Sequence, residues 1–238
     1  MAETTTNPSR RRRAWLAGAI GLGLFVTLAL AVDLGGRSPF ACDLAVSRAV
    51  QSAHWPGLTA LMHGVSMADN NVLGPAVLVF AACLVLAVRR AWREAAVLVG
   101  IVLAGQLLWV VSGWLVGRPR PPSDLVQVLI PEENLRGFPS FPSGHAVYYT
   151  GFFGFLAFLA LTRVKAPALR WPLVAVFGGL VLLVGIARLY LGAHWVSDVV
   201  GGYLLGGAVL AAGIGLYHLW CGRVLGQAPA AGKIGTHA

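Results

Sequence analysis

Long apolar runs dominate this chain, broken at intervals by short polar segments. Ala14 to Val32, Val72 to Val88, Ala95 to Val116, His145 to Thr162, Pro172 to Leu191 and Val196 to Trp220 each approach the length needed to span a membrane. A helix rising 1.5 Å per residue needs about 20 of them for a hydrocarbon core of about 30 Å. Backbone inside a bilayer must satisfy its own N–H and C=O groups, so runs of this kind form helices. The pattern predicts an all-α, polytopic membrane bundle with six transmembrane helices. From Gly35 to Asn71 polarity rises, with Asp43, Arg48, His54, Trp55, His63 and Asp69 in a loosely helical spacing. That stretch predicts an interfacial segment with one or two short helices.

The ends of the chain read differently from the middle. A polar tail leads to Arg10–Arg13, and Ala29-Leu30-Ala31 follows within the first apolar run. Those features also fit a cleaved signal peptide, but the run is long for one, and a retained first helix is expected. The expected organisation is a basic tail over 1–13, one six-helix domain over 14–220, and a small, polar, disordered tail over 221–238.

Composition agrees with the pattern. Of 238 residues, 57% are hydrophobic and 11% charged, and the mean hydropathy is +0.74, which excludes an ordinary soluble domain. The formal charge of +9 raises nucleic acid as a partner. However, the cations cluster in blocks beside apolar runs, as the positive-inside rule and anionic lipids require, and no nucleic-acid binding is expected. Cys42, Cys83 and Cys221 are scattered with no histidine at ligand spacing, so neither a disulfide framework nor a metal site is expected.

Charge also sets the orientation. With the N-terminus inside, Arg10–Arg13, Arg89, Arg90, Arg93, Arg163, Lys165, Arg170, Arg223 and Lys233 are cytoplasmic, twelve of the 18 Lys and Arg. Arg37, Arg48, Arg118, Arg120, Arg136 and Arg188 fall outside, so both termini are expected inside. Three of those outer cations, Arg118, Arg120 and Arg188, sit where helices meet the outer surface.

Alternation of helix direction brings three polar patches to that surface: Gly117 to Pro122, Pro142 to His145, and Arg188 with His194 and Asp198. Ser143 suits an N-cap, and the first N–H groups of the helix beyond it lack internal acceptors, which favours an anion. Gly144 leaves its backbone open to close approach. Arg120 and Arg188 add forked, permanently charged donors suited to phosphate oxygens. His194 and Asp198 lie one turn apart, so the carboxylate can accept from one ring nitrogen and leave the other as a nucleophile. His145, at the rim, can protonate a leaving group. The set predicts metal-free phosphoryl transfer through a phosphohistidine, without a cofactor, followed by attack of water.

Each piece alone is weak. His followed four residues later by Asp is common in helices, and Arg-Pro after a span is usually a helix stop with a snorkelling cation. Pro142-Ser143-Gly144-His145 is stronger, since from ordinary frequencies it arises in about one chain of this length in a thousand. An arginine near a helix centre costs about 2.5 to 3.5 kcal/mol on insertion scales; Arg188, close to its helix end, costs less but still wants a partner. Tyr148 and Tyr149 are expected to pack or to line the approach to the site, and His54, His63, His218 and His237 to be structural or away from it.

These residues in this order resemble the type 2 phosphatidic acid phosphatase family, the lipid phosphate phosphatases, whose core is shared with vanadium haloperoxidases. The family pattern is Lys, six residues, Arg-Pro; then Pro-Ser-Gly-His; then Ser-Arg, five residues, His, three residues, Asp. The resemblance implies His194 as nucleophile, Asp198 as its orienting partner and His145 as general acid. It also implies Arg120, Ser143, Gly144 and Arg188 as phosphate ligands. Two positions depart from the pattern: Gly113 stands for the lysine and Ala187 for the serine. Arg118 is expected to replace the missing cation as a phosphate ligand.

The expected activity is removal of phosphate from a membrane lipid phosphate or diphosphate at the extracytoplasmic face of a bacterial inner membrane. Phosphatidic acid, phosphatidylglycerol phosphate and undecaprenyl diphosphate all fit. The alternatives are a lipid phosphotransferase and, because of Gly113, a non-catalytic lipid-phosphate binding or transport protein. Six spans argue against a soluble haloperoxidase.

Overall fold

The computed structural model describes residues 8–67, 73–131 and 137–226, which contain eight helices and no strand. They are α1 (Pro8–Leu34), α2 (Ala41–Gln51), α3 (Leu58–Ser66), α4 (Leu73–Val88), α5 (Trp92–Val116), α6 (Gly144–Arg163), α7 (Pro167–Tyr190) and α8 (Val196–Gly226). Among the described residues five helices, α1, α5, α6, α7 and α8, are long and apolar enough to cross a membrane. The expected sixth span corresponds to α4, whose 16 residues give about 24 Å. Two short helices, α2 and α3, fill the segment between α1 and α4.

Two boundaries move. Arg10–Arg13 lie inside α1, not in a tail, because Pro8 suits the first helical position and arginine is a good helix former. At the other end α8 continues past Trp220 to Gly226. Asp69, Arg136, Lys233, His237 and the rest of the C-terminal tail lie outside the described residues.

The bundle is organised around α6 and α8. Gly202 and Gly206 on α8 let α6 approach closely, and a Cβ at Gly202 would fall 2.6 Å from the Ser143 carbonyl. The core beside this contact is aromatic: Phe152, Phe155 and Tyr217 are buried, and Tyr148 stacks on Phe152 at 5.4 Å. Tyr148 and Tyr149 are both buried, and their hydroxyls bond the carbonyls of Pro75 and Val65. Packing is therefore what they do.

Loop contacts gather the polar patches. Ser143 N–H donates to the Asp198 carbonyl at 2.9 Å, and Ser140 N–H to the Arg118 carbonyl at 2.8 Å. The start of α6, the start of α8 and the segment after α5 are thereby fixed together.

Candidate active site

His194 lies in the short loop between α7 and α8 and is 3% exposed. Its Nδ1 is 2.8 Å from the Ser140 carbonyl oxygen. A carbonyl only accepts, so Nδ1 carries the proton and Nε2 keeps its lone pair. Nε2 is 3.2 Å from Arg120 Nη1, a donor, which is consistent with that tautomer. Burial first, and then the Arg120 charge, push the His194 pKa from 6.5 down to about 4. The ring is neutral at pH 7, with one defined nucleophilic nitrogen.

Asp198 does not contact the imidazole in the expected way. Its Oδ2 is 3.7 Å from His194 Nδ1, beyond a hydrogen bond. The nitrogen instead faces the Ser140 carbonyl, while the Ser140 hydroxyl donates to Asp198 Oδ2 at 2.5 Å. Asp198 Oδ2 also accepts from Trp195 N–H at 2.9 Å, reaching back to the start of its own helix. Ser140 thus stands between the acid and the histidine through both its polar groups. Ser140 did not stand out in the sequence; its signal was a second serine three residues before Ser143.

Arg118 departs further from expectation. It is fully buried, and its five N–H groups are all engaged. Nη1 donates to Asp198 Oδ1 at 2.6 Å and Ser197 Oγ at 2.7 Å. Nη2 donates to Asp43 Oδ2 at 2.8 Å and the Ser38 carbonyl at 3.0 Å, and Nε to the Arg37 carbonyl at 3.3 Å. With no donor left over, Arg118 is not placed as a phosphate ligand. It holds two buried carboxylates and fixes Asp198 from behind. Asp43, read from sequence as an interfacial acid, is wholly buried; it also accepts from Ser197 N–H at 2.8 Å and Phe40 N–H at 3.0 Å.

Around His194 stand the remaining candidates. Arg120 is steadied by the carbonyls of Ala193 at 3.0 Å and Phe138 at 3.3 Å. Arg188, 4% exposed, donates to Ser66 Oγ at 2.8 Å, and its Nη1 is 3.5 Å from His145 Nε2. Arg188 therefore brings the end of α7, α3 and the start of α6 together. Ser143 occupies the N-cap position of α6, but its hydroxyl makes no capping bond. That oxygen is buried without a partner among the described residues, as suits a group awaiting a ligand.

Gly144 has a packing reason that the sequence did not reveal. A Cβ there would lie 2.7 Å from Trp109 Cε2. Trp109 crosses the start of α6, donates to the Pro142 carbonyl at 3.2 Å, and stacks on Phe138 at 5.2 Å. Gly113, in place of the family lysine, is buried on α5 and faces the Phe141 carbonyl.

Residues 94–220 match the family model described as the PAP2 superfamily. The chain belongs to this superfamily. It is 28% identical over 189 residues to phosphatidylglycerophosphatase B of Bacillus subtilis, covering 79% of this chain and 88% of the relative. It is 33% identical over 171 residues to decaprenylphosphoryl-5-phosphoribose phosphatase of Mycobacterium tuberculosis, covering 70% and 86%. Among solved structures it is similar to the transmembrane PAP2 type phosphatidylglycerolphosphate phosphatase from Bacillus subtilis. The TM-score is 0.66 at 24% identity, covering 84% of this chain and 94% of that one. Aquifex aeolicus LpxE follows at TM-score 0.55 and 22% identity, covering 76% and 96%. This PAP2 chain is an integral, multi-pass membrane protein and a phosphatase.

Proposed function

We propose that the chain hydrolyses a lipid phosphate or diphosphate through a phosphohistidine on His194 Nε2. The observation that carries this reading is the tautomer of His194: its Nδ1 proton is committed to the Ser140 carbonyl, which leaves the ring's lone pair on Nε2. In the first step the Nε2 lone pair attacks phosphorus, the bond from phosphorus to the leaving oxygen breaks, and His145 gives that oxygen a proton. In the second, water attacks phosphorus, His145 takes its proton, the phosphorus–nitrogen bond breaks, and His194 returns neutral.

Arg120, Arg188, the Ser143 hydroxyl and the first N–H groups of α6 take the charge on the phosphoryl oxygens. Asp198, held by Arg118 and Ser140, offsets the positive charge that His194 gains. The long spans hold these groups at headgroup depth, so the acyl or isoprenoid chain stays in the bilayer while the phosphate reaches His194. Relatives named for phosphatidylglycerol phosphate and for a decaprenylphosphoryl sugar phosphate support a lipid substrate. α4 serves as the sixth span, both termini are cytoplasmic, and the catalytic end faces away from the cytoplasm, as the distribution of Lys and Arg supports.

The test is phosphate release from a panel of lipid phosphates and diphosphates by the purified chain, with His194→Ala alongside. Release by the parent and a loss of at least about 10³-fold in the variant are expected. Equal release by both sinks the nucleophile. Lipid binding without release by either would favour a binding protein, the reading that Gly113 motivates.

A further inference from the structure

A cavity of about 420 Å³ lies at the end of the bundle away from His194. α6 separates the two, with Gly144 at the active-site end and Arg163 at the cavity. Its 20 residues span about 30 Å, the thickness of a hydrocarbon core. The volume is within the range of about 300–1,000 Å³ common for ligand clefts. Five cations line it: Arg10 and Arg13 from α1, Arg163 from α6, Lys165 from the α6–α7 link, and Arg170 from α7.

The lining holds no carboxylate. Glu94, behind the wall, pairs with Arg163 at 2.5 Å and accepts from the Tyr217 hydroxyl at 2.9 Å, so it offsets one charge. Arg10, Arg13, Lys165 and Arg170 pair with no carboxylate among the described residues. Arg170 lies over the Trp171 ring at 5.4 Å, and its Nε is buried without a hydrogen-bond partner among the described residues. α7 starts between Lys165 and Arg170 with no side-chain cap, which sets a positive helix end at the rim.

Four uncompensated cations around one concavity repel each other, and an anion there relieves that repulsion. One wall is apolar: Phe158 and Leu161 line it, and Leu161 is 46% exposed on the outside of the bundle. The pocket therefore matches a ligand with a charged head and an apolar tail that stays in the bilayer.

We infer that this cavity binds the phosphate-bearing headgroup of an anionic phospholipid from the leaflet opposite the catalytic end. The site is one of binding, not chemistry, and is independent of the role of His194. It joins α1 to the corner where α6 meets α7, and these bring cations to it from distant parts of the chain.

The test uses the full chain purified in neutral detergent, with bound lipid counted by native mass spectrometry and Tm followed in parallel. Phosphatidylglycerol, phosphatidylcholine and inorganic phosphate are the three probes. Phosphatidylglycerol is expected to bind and raise Tm in the parent and in His194→Ala alike, with occupancy falling about tenfold or more in Arg13→Gln/Lys165→Gln/Arg170→Gln. Lys165→Gln and Arg13→Gln, exposed single changes, are expected to give intermediate losses even if the triple variant folds poorly. Unchanged occupancy in these variants, or equal binding of phosphatidylcholine, overturns the inference. A Tm rise with inorganic phosphate alone that the variants abolish also overturns it, in favour of a soluble anion.

Discussion

The Ser140 carbonyl accepts the Nδ1 proton of His194 at 2.8 Å, and the Ser140 hydroxyl donates to Asp198 Oδ2 at 2.5 Å. One residue therefore sets the tautomer of His194, the proposed nucleophile, and joins it to Asp198. Ser140→Ala keeps the carbonyl but removes the hydroxyl, leaving Asp198 Oδ2 with the Trp195 N–H. A fall of about 10- to 100-fold in kcat with little change in KM is expected. Steady-state kinetics on a short-chain lipid phosphate checks it, and a change confined to KM would count against a positioning role.

Arg118 gives a prediction about stability. Removing one partner of a buried ion pair leaves an uncompensated charge, at a cost of about 3–5 kcal/mol. Arg118→Met strands both Asp43 and Asp198, each wholly buried. A large drop in Tm and in folded yield is expected, with partial recovery on adding Asp43→Asn. A fully stable Arg118→Met with weakened phosphate binding would restore Arg118 as a ligand.

The pH profile follows from burial. His194 is held down to about 4, first by desolvation and then by Arg120. The imidazole is neutral above that value and protonated below it. The acid limb of kcat/KM that belongs to His194 is expected near pH 4, not 6.5. Arg120→Gln removes one cause of the depression, so the limb moves upward while activity falls. A limb that stays in place would separate the two residues.

Gly144 and Trp109 should behave as a pair. Gly144→Ala places a methyl group 2.7 Å from the indole, an overpacking that costs about 1–3 kcal/mol. Reduced activity and Tm are expected, with part of both recovered in Gly144→Ala/Trp109→Leu. Rescue by the smaller side chain is the readout, because loss of an anion-binding backbone position alone would not respond to it.

Much of this site was legible in the sequence, and the reason is chemical. His194, Asp198, His145, Arg120 and Arg188 are polar groups beside apolar runs, and helix alternation alone brings them to one end of the bundle. Ser140, Asp43 and Trp109 escaped because their roles arise from contacts across the chain: Asp43 reaches Ser197 only after α2 folds against α8. Arg118 was misread for a related cause. Two residues from Arg120 in sequence, it reaches Asp43 and Asp198 where Arg120 reaches His194, and proximity along the chain does not decide which partner a guanidinium takes. The expected sixth span falls on α4, which is shorter than the five long helices, and its start adjoins residues outside those described.

Arg120 Nη1 rests on the lone pair of His194 Nε2. The proposed nucleophile is covered, and what covers it is a cation that a phosphate oxygen attracts more strongly than a neutral imidazole does. In the proposed reaction an arriving anion would draw the guanidinium to itself and uncover the nitrogen in the same movement. A neutral ester brings nothing to exchange for it. On that mechanism a phosphate-bearing lipid and a neutral ester of the same chain are expected to differ in their access to His194 before any bond is made.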